Sequence, residues 1–205
     1  QFIKDSLNIE PIELQIQQPE KPHITQESFP GDINIIKQDF LAGRPLRFKV
    51  PVIIRKINRE EQKSFLEVFL KRFSEFKKPF EGYIRSGISI SEIKMLGNRP
   101  VAGLVIAEDQ PVCEFLGDCE TPAHTNWNER TEGFAEKYRN ATGLLRFIKK
   151  SMLQIISILD EPPPEKQIDF LKEIFSIPLS PEEEKEKEKE KEIADRAKIS
   201  QFTGR

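Results

Sequence analysis

Ten residues of near-strict alternation constrain this chain more than any other feature it carries. Leu46, Phe48, Val50, Val52 and Ile54 fall on one side of an extended backbone, and Arg47, Lys49, Pro51 and Arg55 fall on the other. That is a strand with one face to bury. Because Pro51 removes a ladder donor, the strand belongs at a sheet edge or carries a bulge.

Neighbouring segments read as its partners. Residues 12–16 alternate in the same way until Pro19 and Pro22 end them, and Ile33, Ile35 and Ile36 after the Gly31-Asp32 turn suggest a further short strand. Residues 101–107 are an apolar run between Pro100 and the acids Glu108 and Asp109, as in a central strand. Residues 58–78 fit two patterns. Asn58 with Glu61 resembles a capping box, and Phe65, Leu66, Phe69, Leu70, Phe73 and Phe76 share a helical arc. Residues 64–72 also read as a buried strand paired with residues 82–90.

Further on the pattern turns helical. Residues 129–140 come first, then a longer segment striped by Leu144, Leu145, Ile148, Met152, Ile155, Ile156 and Leu159, which stops at Pro162, Pro163 and Pro164. A last amphipathic turn or two, with Ile168, Leu171, Ile174 and Phe175, precedes Pro178 and Pro181. Residues 182–192 are a Glu/Lys repeat with nothing to bury. The expected fold is α+β: a mixed or antiparallel sheet followed by two to three C-terminal helices packed on one face, with a charged tail. The divisions expected are residues 1–43 as N-terminal strands and connections, 44–160 as the core domain, 161–181 as a Pro-bounded short helix, and 182–205 as the tail.

Charge narrows the partners. Of 34 Asp and Glu and 32 Lys and Arg in 205 residues, residues 182–198 hold eight and six, so the rest of the chain is neutral. It offers no net field to nucleic acid or to an acidic membrane. Arg44, Arg47, Lys49, Arg55, Lys56 and Arg59 make a modest basic run, which reads as a charged outer strand face and leaves nucleic acid a weak candidate partner. No apolar run approaches the roughly 20 residues of a bilayer span, and no signal-peptide core is present. Two cysteines do not build a disulfide framework, so a reducing cytoplasm is the expected compartment. A first residue of Gln rather than Met suggests a processed chain or the rear part of a longer one.

Chemistry has few candidates among two histidines and ten glycines. Neither a P-loop nor a Gly-x-Gly-x-x-Gly occurs. Cys113, Asp118, Cys119, Glu120 and His124 are the densest set of ligand-type residues, but cysteines six apart without a second pair do not make a zinc knuckle. Cys119 with His124 lacks a third, orienting group. No catalytic residue and no metal site is assigned on this basis. Residues 114–130 are the least generic stretch, with the chain's only Trp, a Gly117-Asp118 turn and Pro122. They read as a crossing loop in which Asp118 or Thr125 caps a helix and Trp127 fills the seam between sheet and helices.

Several of these residues carry a resemblance. Tyr83-Ile-Arg-Ser-Gly-Ile-Ser-Ile90, the run 99–109, Phe115-Leu-Gly-Asp118, Pro122-Ala-His-Thr125, Trp127-Asn-Glu-Arg130 and Lys137-Tyr-Arg-Asn140 resemble the C-terminal, transducer-like region of large bacterial proteins with a histidine-kinase-like (GHKL) ATP-binding domain at their front. The resemblance covers roughly residues 44–160. It implies that ATP and Mg belong to an ATPase domain preceding Gln1, since no Asp-x-Gly-x-Gly loop occurs here, and that this part needs no cofactor. It implies a module that couples nucleotide state to its own N-terminal ATPase domain, to a protein partner or to a homodimer, without a membrane. It also favours strand over helix for residues 64–72. On this basis Gly117, Asp118, Glu120, Pro122, His124, Thr125, Trp127, Asn128, Glu129 and Arg130 form a candidate functional loop, and Arg85 and Gly87 a candidate strand site. Two other readings stay open: a small hydrolase or metal-dependent enzyme using Asp118, Glu120 and His124, and a stand-alone protein–protein adaptor.

Overall fold

β2 (Leu46–Arg55) runs as its alternation requires, with Leu46, Phe48, Val50, Val52 and Ile54 buried. In the computed structural model, which describes residues 8–17, 20–73 and 80–160, β3 (Glu61–Arg72) pairs antiparallel with β2 from Leu46 opposite Leu70 to Arg55 opposite Glu61. The segment with two patterns is therefore a strand. Its other edge is taken by β6 (Val101–Ala107), so both sides of its backbone are hydrogen-bonded and its large apolar residues pack above and below the sheet.

The sheet is mixed and six-stranded, in the order β1-β2-β3-β6-β4-β5, with β1 (Ile12–Glu13), β4 (Phe80–Arg85) and β5 (Ile88–Ile90) completing it. β1–β2 and β4–β6 are parallel and the other pairs antiparallel. Residues 82–90 do not pair with β3 as expected, because β6 lies between. Nor are they one strand. Ser86 and Gly87, with φ of 46° and 78°, turn the chain between Arg85 and Ile88 as the two central residues of a type I′ hairpin.

Pro51 sits where its missing donor costs least. The Lys49 carbonyl faces β1 and accepts from Leu14 N at 2.9 Å. Two residues on, Pro51 points the same way, past the end of the two-residue β1.

Helices cover one face. α1 (Ile33–Leu41) replaces the short strand expected at residues 33–36: the Asp32 carboxylate accepts from Asn34 N at 2.9 Å, and Ile33, Ile36 and Phe40 turn the same way at helical spacing. α2 (Gln110–Gly117) occupies the start of what reads as a crossing loop. Of the helix expected over residues 129–140 only one turn forms, α3 (Phe134–Lys137). α4 (Ala141–Leu159) buries the whole expected stripe from Leu144 to Leu159. The short helix expected near residues 168–175 and the Glu/Lys tail lie outside the described residues. Among the described residues no helix is long and apolar enough to cross a membrane.

α4 crosses the sheet at a residue without a side chain. A Cβ built on Gly103, in the middle of β6, would lie 2.0 Å from the Met152 sulfur and 3.3 Å from Leu70 Cδ2. Gly103→Ala is expected to lower stability by about 1–3 kcal/mol in urea unfolding, through overpacking of a dense core. The loss should be smaller in a Met152→Ala background.

Basic residues on the sheet's other face are paired within it. Lys49 Nζ meets Glu13 at 2.8 Å and lies 4.8 Å from the Phe65 ring centroid. Arg47 pairs with Glu67 and sits over Phe69, and Arg55 pairs with Glu61. Of the run noted in the sequence, Arg47, Lys49 and Arg55 thus form a charged strand face paired with neighbouring carboxylates, while Arg44, Lys56 and Arg59 lie outside the strand.

Candidate functional site

β4 supplies the base of the site. Register places Glu81, Tyr83 and Arg85 opposite Gly103, Val105 and Ala107, so all three point into the helix-covered side. Polar side chains aimed inward need partners, and each has them. Glu81 accepts from Leu96 N at 3.1 Å and also from Met95 N. Tyr83, fully buried, donates to the Lys149 carbonyl at 2.8 Å. Arg85 grips Glu120 with Nε and, at 3.1 Å, with Nη2.

Glu120 is the hub. Its side chain is only 3% exposed, and its two oxygens accept from Arg85 Nε, Arg85 Nη2 and Trp127 Nε1, the last at 3.4 Å, and bond His124 Nδ1. Four nitrogen atoms of three residues meet the four lone-pair positions of one carboxylate, so none is left for a substrate proton. Burial alone would push the Glu120 carboxyl up; the hydrogen bonds from Arg85 and His124 and the Arg85 charge reverse this and hold it below the usual carboxylate range. Arg85 is raised in turn, chiefly by its hydrogen bond to Glu120.

Trp127 closes the loop over the sheet. It is fully buried and meets Tyr83 edge-on, with centroids 5.8 Å apart. Residues 120 and 127 form a β-bridge, and Lys149 of α4 bonds the Trp127 carbonyl and, at 3.2 Å, Asn126 Oδ1. Burial lowers the Lys149 pKa. Trp127 therefore fills the seam between sheet and helices, as the sequence suggested.

Asp118 belongs to a second cluster. It closes the C-terminal end of α2 rather than capping a helix start, and its carboxylate takes Tyr138 Oη at 2.7 Å and Lys137 Nζ at 2.9 Å. Burial works to raise the Asp118 carboxyl, and those two donors pull it below its ordinary value. The structure thus pairs Glu120 with His124 but gives Asp118 different partners. Among the described residues no group of three His, Cys, Asp or Glu is placed to hold a metal. Both cysteines are buried, and burial pushes the Cys119 thiol up to about 12.

Thr125 caps no helix; its carbonyl accepts from Glu92 N at 2.9 Å, and its amide donates to Thr121 Oγ1 at 3.3 Å. His124 adopts φ of 56° and is largely exposed beyond its bond to Glu120. Asn128 Oδ1 accepts from Arg130 N, and Glu129 is clasped by Arg146 of α4 through two bonds of 2.9 Å. Pro122, Asn128 and Arg130 are exposed, as are Gly87, at the hairpin tip, and Gly117. Sequence reasoning missed Glu81, Tyr83, Tyr138 and Lys149. The alternation Glu81, Tyr83, Arg85 was a usable signal for the first two.

Acid should loosen this site. Glu120 and Asp118 titrate lower in the folded chain than in the unfolded one, where they return to about 4.3 and 3.9. The unfolded state therefore binds more protons as pH falls. Stability is complete above the unfolded values and is lost as pH drops through the folded ones. A fall in denaturation midpoint below about pH 4, reduced in an Asp118→Asn, Glu120→Gln double variant, is the expected result. Comparison with protein-family models, with curated proteins and with solved structures finds no match for this chain.

Proposed function

We propose that this chain is a non-catalytic transducer or interaction module of a cytoplasmic bacterial ATP-binding protein of the GHKL type, passing nucleotide state to a partner. The observation that supports this most is the closure of its polar constellation. Every lone-pair position of Glu120 is occupied, Asp118 is bonded at both oxygens, and the thiols are buried. Glu120, with its lone pairs taken, and the buried thiols offer no free valence to a substrate, whereas Asp118, with one bond at each oxygen, and the exposed ring of His124 keep theirs, so the support comes from Glu120 and the cysteines. The same constellation instead ties strand β4, the loop 118–131 and helix α4 into one body, suited to moving as a unit.

In this reading ATP and Mg are held by the parent protein's ATPase domain, and this chain responds to that domain. Calorimetry with Mg-ATP is the test. No heat of binding is expected for this chain, and binding is expected for the product of the whole gene. Tight Mg-ATP binding by this chain, or none by the whole gene product, would overturn the reading.

A further inference from the structure

Beside the Glu120 network, the C-terminal ends of the parallel strands β4 and β6 open onto a shallow cleft of about 680 Å³, bordered by Lys56, Arg85, Glu108, Glu114, Gly117 and Asp118. That volume suits a small molecule. Most of the charges around it are already used. Lys56 pairs with Glu114 at 2.6 Å, and Asp118 pairs with Lys137 and Tyr138.

Two groups remain. Arg85 holds Glu120 through Nε and Nη2, which leaves its Nη1 edge toward the cleft. A Cβ at Gly117 would lie in van der Waals contact with Nη1, at 3.5 Å, and take up part of the space beside it. Glu108, directly after β6, is exposed and has no hydrogen bond or ion pair with a described residue.

We propose that this cleft binds a small zwitterion of the free amino-acid class, its carboxylate on the Nη1 edge of Arg85 and its ammonium on Glu108. The grip of Glu120 fixes the guanidinium plane before a ligand arrives, which reduces the ordering cost of binding. The unpaired Glu108 carboxylate beside the Arg85 edge disfavours phosphate and other multiply charged anions. An open, polar cleft gives weak affinity, with Kd on the order of 1 mM. This site stands independently of the transducer reading.

Amide NMR of the full chain tests it, with L-alanine and L-glutamine as probes and acetate, methylammonium and inorganic phosphate as controls. Saturable shifts are expected at the Ser86, Gly87 and Gly117 amides with the amino acids, and binding about tenfold weaker or more with each control, the loss of one charge-assisted contact. Glu108→Gln, at an exposed position, should weaken amino-acid binding by a similar factor while leaving acetate binding unchanged. Gly117→Ala should weaken both. Phosphate binding as tightly as the amino acids, no saturable shift up to about 50 mM, or an unaffected Glu108→Gln variant would overturn the proposal.

Discussion

Trp127→Ala is expected to destabilise the chain by about 3–5 kcal/mol, the cost of emptying a large aromatic site that cannot collapse. The indole is fully buried, stands edge-on against Tyr83, donates to Glu120 and is pinned through its own carbonyl by Lys149. Collapse around the gap would have to move β4 and α4 together. Because the variant loses the chain's only Trp, denaturant unfolding should be followed by far-UV circular dichroism. Trp127→Phe should recover most of the packing but leave Glu120 one donor short. A loss under about 1 kcal/mol for Trp127→Ala would mean that the seam repacks freely.

Glu120→Ala comes next, at about 3 kcal/mol, because it leaves the mostly buried Arg85 guanidinium without its counter-charge. It also releases His124 and Trp127 Nε1. Arg85→Ala should cost a comparable amount for the mirror reason. The Arg85→Ala, Glu120→Ala double variant should cost clearly less than the two singles summed, since neither partner is then stranded. Strict additivity in urea unfolding would contradict a coupled hub.

Much of this fold is legible in the residues, and the failures have physical causes. β2 and α4 each repeat one period long enough to leave no choice. Ser64 to Arg72 satisfies both periods, and only the pairing of both its edges settles it as a strand. α1 hides behind three isoleucines that alternate as plausibly as they spiral; the Asp32 cap was the signal to weigh. The Ser86-Gly87 turn moves the inward face from odd to even positions, with Tyr83 paired to Ile90 and both buried, so reading residues 82–90 with one period hides the turn. The residues flagged for the site include its hub, Glu120, and its plug, Trp127. Besides the local His124, their partners come from distant parts of the chain, Tyr83, Arg85 and Lys149, and of these three only Arg85 was flagged for the site. Lys149 sits on the flank of an amphipathic helix, where a lysine is ordinary, so nothing local announces its role.

Glu120 as an ionised, fully occupied structural hub, and not a proton-transfer group, is open to direct measurement. Carbon-detected NMR of the Glu120 side-chain carboxyl across pH reads this directly. A titration midpoint below the ordinary value of about 4.3 is predicted, as four donors to one buried carboxylate require. A midpoint raised toward neutrality would contradict the account and mark Glu120 as a general acid.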